Sequence, residues 1–448
     1  MRLKSSASRV STVLGLLFCA APVFAADLLQ VYRAALANDQ QYVAARAAAD
    51  ALREKAPQGL STLLPTIGAT ANTTWNDNKY STDSTDTRYN VNKQYNTNAY
   101  NVQLTQPLFR WQNYVQYGQG QLQVVQADAN LAQALQDLIV RVAGAYFDVL
   151  YAQENLKAVL ANKQSIAQQL EQAKKNFEVG TATITDSQEA QARYDLAIAQ
   201  EIAGLNDLEV KRYTLRVIVG KDSGELNRLK PQAELKPPQP ASMDQWVDAA
   251  QKDSFSVQAQ QAAAEVAAKE VERQRAGHYP TLDAVANYGK NNTALSVIGS
   301  DSLETNARNV GLQLNIPIFQ GGYVNSKTRE AVANRVAADA ALETAKRTAA
   351  LNTQQSFLGV VNGLAQVRAL DAALISSTSA LESNKLGYEV GVRINIDVLN
   401  AEQQVYVTKS SLAKARFDTL LAQLKLKAAV GSLGEADLEQ INPLFEAP

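Results

Sequence analysis

NVGLQLNIPIFQGGYV, residues 309–324, changes its period partway along. Val310, Leu312, Leu314 and Ile316 alternate with Asn309, Gly311, Gln313 and Asn315, the period of a strand with one apolar and one polar face. After Pro317 the alternation stops, and a polar stretch with no proline runs to Glu389. YNVQLTQPLF at 100–109 makes the same change, with Tyr100, Val102 and Leu104 against Asn101, Gln103 and Thr105. Gln106-Pro107-Leu108-Phe109 and Ile316-Pro317-Ile318-Phe319 stand 210 residues apart.

That offset recurs, so the chain is one module written twice. Leu64-Pro65-Thr66 corresponds to Tyr279-Pro280-Thr281. Phe177-Glu178-Val179-Gly180 followed by Asp186 corresponds to Tyr388-Glu389-Val390-Gly391 followed by Asp397. Ile218-Val219-Gly220 corresponds to Ala429-Val430-Gly431. The expected division is a first repeat at 26–220, a proline-rich linker at 221–242, a second repeat at 243–431 and a tail at 432–448. The linker holds Pro231, Pro237, Pro238 and Pro240, and the tail suggests no role.

Each repeat has a second alternating segment. Ile67, Ala69, Ala71, Thr73 and Trp75 face away from Thr66, Gly68, Thr70, Asn72 and Thr74. Leu282, Ala284, Ala286 and Tyr288 face away from Thr281, Asp283, Asn287 and Gly289, and Val285 interrupts that polar face. The strand pairs are expected within 65–109 and 279–318, joined by polar loops at 76–98 and 290–307. Strands of about ten residues with unlike faces and long loops suit a membrane barrel as well as a half-exposed sheet.

Residues 1–25 read as an export signal. Arg2, Lys4 and Arg9 precede an apolar run at 13–19, and Val23-Phe24-Ala25 is a small-residue cleavage site. Phe18 is a poor neighbour for a lipidated Cys19. Removing those residues leaves 423 of the 448, with no cysteine and therefore neither disulfide nor thiolate metal site. The 43 basic residues become 40 against 44 acidic, which argues against a nucleic-acid binder. No run of 18 consecutive apolar residues exists in the mature chain, so no helical span is expected. Four strands cannot close a barrel, and an open edge in lipid leaves backbone groups unpaired. Two chains would give eight strands and three would give twelve, so an oligomer is required.

Between the strand pairs the period is helical. Positions 131, 135, 138, 142, 145, 149, 152, 156, 159, 163, 166, 170, 173 and 177 keep a 4-3 spacing, and only Lys163 is polar. A long helix is expected over 113–178; its proline-free stretch from Tyr114 would be about 97 Å long at ~1.5 Å per residue. A second is expected over 323–389, with a sparser seam of Phe357, Val360, Leu364, Val367, Leu374 and Leu381. Further helices are expected at 28–60, 186–219, 243–277 and 397–430, with Gly180 and Gly391 as C-caps.

Together the export signal, the duplicated strand-pair and helical-hairpin module, the QPLF and IPIF strand ends, and YEVGVRINIDVLNA at 388–401 resemble the TolC family of outer-membrane efflux proteins. The resemblance extends from Ala26 to about Gly431. It implies a mainly α chain with transmembrane β: a homotrimer with a shared 12-stranded barrel, four strands per chain, continued by an α-helical barrel across the periplasm. It also implies a periplasmic adaptor and an inner-membrane transporter as partners, export of small molecules or proteins, and no cofactor or chemistry. Asp397 matches a ring of acids at the periplasmic constriction, and Asn400 falls where the family pattern has a second acid. An amide there should select cations more weakly. Arg393 and Tyr388 match closed-state links, with Thr185 and Asp186 as expected partners on the first hairpin. Val179-Gly180-Thr181 and Val390-Gly391-Val392 match the tips that adaptors grip. From the residues alone, Asp186 and Asp397 are helix caps or first-turn acids.

Two other classes fit the sequence less well. A single histidine, His278, and the lack of a GxSxG elbow, P-loop or HExxH motif argue against an enzyme. A trimeric coiled-coil surface adhesin would explain the signal and the heptads, but not duplicated strand pairs with matching tips.

Overall fold

The computed structural model describes residues 26–80, 91–293 and 303–447. The expected export signal at 1–25 and parts of the two expected loops, 81–90 and 294–302, lie outside the described residues. In the first repeat α1 (Leu28–Asn38), α2 (Gln40–Arg53) and α3 (Lys55–Ser61) precede β1 (Thr66–Tyr80) and β2 (Val91–Phe109). Then come α4 (Trp111–Glu178), α5 (Ile184–Val219) and the short β3 (Arg228–Leu229). The second repeat has α6 (Met243–Asp253), α7 (Phe255–Arg275), β4 (Thr281–Thr293), β5 (Leu303–Asn315), α8 (Tyr323–Glu389) and α9 (Asn395–Ala429). The chain closes with α10 (Glu435–Ile441) and β6 (Phe445–Glu446).

The strands form one antiparallel sheet in the order β1-β2-β4-β5, so the repeats meet between β2 and β4 and, among the described residues, both outer edges stay unpaired. Registers Ile67↔Leu104, Leu104↔Ala286 and Ala286↔Val310 put the apolar set of all four strands on one face. Ile67, Trp75, Tyr100, Val102, Val310, Leu312 and Leu314 are exposed there. Exposed aromatics bracket this face, Trp75, Tyr100 and Tyr288 at one end and Phe109, Tyr279 and Phe319 at the other. That is the arrangement of a lipid-facing belt between two interfacial girdles.

The ladder runs further than the alternation predicts. Residues 76–80 pair with 91–95, and 290–293 pair with 303–306, so the expected loops are partly strand. These ends are mostly polar and carry no sustained period-2 signal. Asn76 Nδ2 donates to Thr97 Oγ1 at 3.0 Å, and Lys290 pairs with Glu304 at 2.8 Å.

α4 has 68 residues and α8 has 67, each about 100 Å long. From Leu138 to Ala173 the 4-3 seam of α4 is buried except at Lys163, whose ammonium pairs with Glu201 on α5. Against the expectation from apolar runs, α8 holds an 18-residue window of mean hydropathy 1.3, enough by length and composition to cross a membrane, with 11% of it buried. The helix packs along α7 and α9, and Val336, Leu351, Leu358, Val361 and Ile375 on it stay exposed.

The helix expected at 28–60 breaks at Asp39 and Glu54, and that at 243–277 breaks at Ser254, where the backbone is extended. Asp39 Oδ1 accepts from Tyr42 N at 2.7 Å, and its carboxylate takes both Arg141 terminal nitrogens at 3.0 and 2.9 Å. The 221–242 segment and the tail are more than linker and tail. β3 pairs with β6, Leu226 is buried, and Phe445 stacks on Phe147 at 5.9 Å within the core of α1, α4, α5 and α9. Two-residue strands leave no period to read.

Candidate functional site at the hairpin ends

Both long helices end in the same turn. Gly180 and Gly391 take φ of +78° and +77°, a left-handed conformation open to glycine without strain. The following amides turn back: Thr181 N donates to Asn176 O at 2.8 Å, and Val392 N to Gly387 O at 2.9 Å. Val179, Val390, Val392 and Ile394 are exposed, so the expected tip residues form an apolar end.

The two returning helices start differently. In α5 a capping box joins Thr183 and Asp186: Thr183 N donates to Asp186 Oδ2 at 2.9 Å, and Asp186 N donates to Thr183 Oγ1 at 3.3 Å. The N-cap of α9 is Ile394, which has no capping oxygen. Asp397 therefore caps nothing; its carboxylate faces Arg393 at 3.6 Å. Of the two acids read as caps or first-turn acids, Asp186 closes the capping box of α5, whereas Asp397 is a first-turn acid of α9 without a cap bond.

The expected link from Thr185 and Asp186 to Arg393 and Tyr388 is absent within the chain, among the described residues. Asp186 is committed to its cap, and the Thr185 hydroxyl to that of Thr183. Tyr388 Oη instead accepts from Asn176 Nδ2 on α4 at 3.2 Å. The Arg393 stem lies over Gly387, where an added Cβ would sit 2.7 Å from Arg393 Cγ. Asn400 Oδ1 accepts from Arg193 Nη2 on α5 at 3.1 Å, which sets a cation beside the amide.

Sequence reasoning missed a deeper cluster. The Glu402 side chain is 5% exposed and takes Gln169 Nε2 of α4 at 2.5 Å, Lys385 Nζ of α8 at 3.0 Å, and the Ser165 hydroxyl of α4. Nothing in the local sequence marks a glutamate on a polar helix as buried.

Comparison with known proteins fits this architecture. The model of the outer membrane efflux protein family matches residues 31–221 and 246–432, one segment per repeat. The chain is 33% identical to outer membrane protein TolC of Vibrio cholerae over 97% of its length and 96% of that protein's. It is 31% identical to the alkaline protease secretion protein AprF of Pseudomonas aeruginosa, over 94% and 88% of the two chains. The CmeC outer membrane channel of Campylobacter jejuni superposes with a TM-score of 0.79 at 16% identity, over 99% of this chain and 97% of that one, a likeness of fold. These matches give the adhesin reading no support. With both repeats matched and a relative this similar over nearly its whole length, the chain belongs to the outer membrane efflux protein family and is an outer-membrane export channel reaching into the periplasm.

Proposed function

We propose that three copies of this chain share one barrel of twelve strands, with β5 of each copy pairing with β1 of the next. The observation that carries this reading is the four-stranded sheet with two open edges and one apolar face, feeding directly into helices about 100 Å long. Lipid allows a sheet no open edge, and three copies match the family pattern. Each copy contributes two repeats, 26–220 and 243–431, joined by 221–242. The α4–α5 and α8–α9 hairpins then wall a tunnel whose narrow end lies at their tips.

Asp397 supplies a ring of carboxylates at that end, and Asn400, held by Arg193, supplies an amide ring instead of a second acidic one. The constriction favours cations, less strongly than two acidic rings would. Tyr388 and Arg393 lie at the closed end, where the contacts that hold the hairpins coiled would form, while Thr185 and Asp186 there are tied to Thr183 at the start of α5. The apolar tips at Val179, Gly180 and Thr181, and at Val390, Gly391 and Val392, are the surface for a periplasmic adaptor, which an inner-membrane transporter feeds. The relatives include an efflux protein as well as protease secretion proteins, so the cargo proposed is small toxic compounds, proteins, or both.

The test is single-channel current from the purified protein in a planar bilayer. A small, cation-preferring conductance is expected. No current from an intact trimer would reject the reading.

A further inference from the structure

The observation is Glu402, a nearly dry carboxylate on the α8–α9 hairpin, its side chain 5% exposed. It lies five residues beyond Asp397 on α9, next to Leu399, which packs on Ile166 and Ala197 of the first repeat. Its donors come from two directions. Ser165 and Gln169 stand one turn apart on α4, in the first repeat, whereas Lys385 stands on α8, in the same hairpin as Glu402. We propose that Glu402 is a positioning residue for the constriction: it holds α9 against α4 and so fixes Asp397 and Asn400 in the closed arrangement. This rests on the reading of those two residues as the constriction.

The split between donors gives the cluster its logic. When the α8–α9 hairpin swings away from α4, Ser165 and Gln169 must let go, while Lys385 travels with Glu402. The hydrogen bonds from α4 exist only in the closed state. The ion pair to Lys385 survives the movement and keeps the carboxylate from being left alone. Charge-assisted bonds made in one state and lost in the other bias the equilibrium toward the first. Lys385 contributes to both states and therefore biases the equilibrium less than Ser165 and Gln169 do. A structural role alone would predict the opposite pattern, in which losing any of the three donors loosens the protein without favouring the open tunnel.

The experiment compares S165A/Q169A, E402A, E402Q and K385A in planar bilayers, with thermal dissociation of each oligomer measured in parallel and D397N as the constriction control. Losing the α4 bonds should raise the ratio of open to closed time roughly tenfold in S165A/Q169A and in E402A. E402A placed in the S165A/Q169A background should add nothing further, and E402Q, which still accepts from α4, should fall between E402A and the parent. K385A should lower the dissociation temperature and raise the open-to-closed ratio clearly less than S165A/Q169A does. S165A/Q169A keeps the carboxylate and its lysine, so it tests the idea even if E402A does not assemble. An unchanged ratio in S165A/Q169A, with D397N still altering ion selectivity, would overturn the positioning role alone. Unchanged behaviour in both would remove the constriction reading along with it.

Discussion

A charge placed on either side of β5 tests which face meets lipid. Leu312 belongs to the apolar face and is 69% exposed, flanked by Val310 and Leu314. Gly311 faces the other way, pairs with Val285, and has open space where a Cβ would stand. Tyr100 and Phe109 bracket the belt on β2, and nine residues at ~3.3 Å give about 30 Å along the strand, or about 23 Å of depth at a tilt near 40°. Leu312, in register through Ala284 with Gln106, lies between those girdles, where an arginine on the lipid face costs about 2–4 kcal/mol. L312R should therefore cost about 3 kcal/mol per chain, more than a hundredfold in the folding equilibrium, whereas G311R should cost about 1 kcal/mol or less. Equilibrium unfolding from lipid vesicles reads both values. Equal costs, or a larger one for G311R, would mean that the apolar face does not contact lipid.

Other outcomes follow from the hairpins and from the packing of the helices. D397N should lower cation selectivity in reversal-potential measurements, because the ring would keep amides beside the guanidiniums of Arg193 and Arg393. Burial alone would raise the pKa of Glu270, but Arg273, Gln119 and Gln274 outweigh it and hold the carboxyl at about 2. Since the folded state binds that proton more weakly than the unfolded chain, the stabilisation is complete above the ordinary 4.5 and fades as pH falls toward about 2. E270Q should remove about 2 kcal/mol at neutral pH, after allowing for solvent at the rim, and flatten this acid limb in pH-dependent denaturation. F445A should cost about 3 kcal/mol in thermal unfolding, since Phe445 is buried against Phe147 and Tyr146.

Much of this molecule was legible because two periods were clean. Val310 to Ile316 could form only a two-faced strand, and the 4-3 run through Val142, Val149 and Val159 only a packed helix. The faces, the long helices and the tip glycines came from those patterns. What escaped had no period to show. The strand ends beyond Asn76 and Lys290 are mostly polar, and β3 and β6 have two residues each. At the tips, the repeats look alike in sequence but differ through single residues: Thr183 gives Asp186 a partner for its cap, and Ile394 gives Asp397 none. Glu402 becomes buried only when α4, more than 230 residues earlier, brings Ser165 and Gln169 against it.

The unpaired edges of β1 and β5 also govern the order in which the barrel is made. A single chain that entered a bilayer would carry two rows of bare amide and carbonyl groups into hydrocarbon, at several kcal/mol for each group. Association in water must therefore come before insertion, or the two must happen together. The rate of insertion should then rise more steeply than linearly with chain concentration, and dilution should leave chains stranded outside the membrane with their long helices already formed.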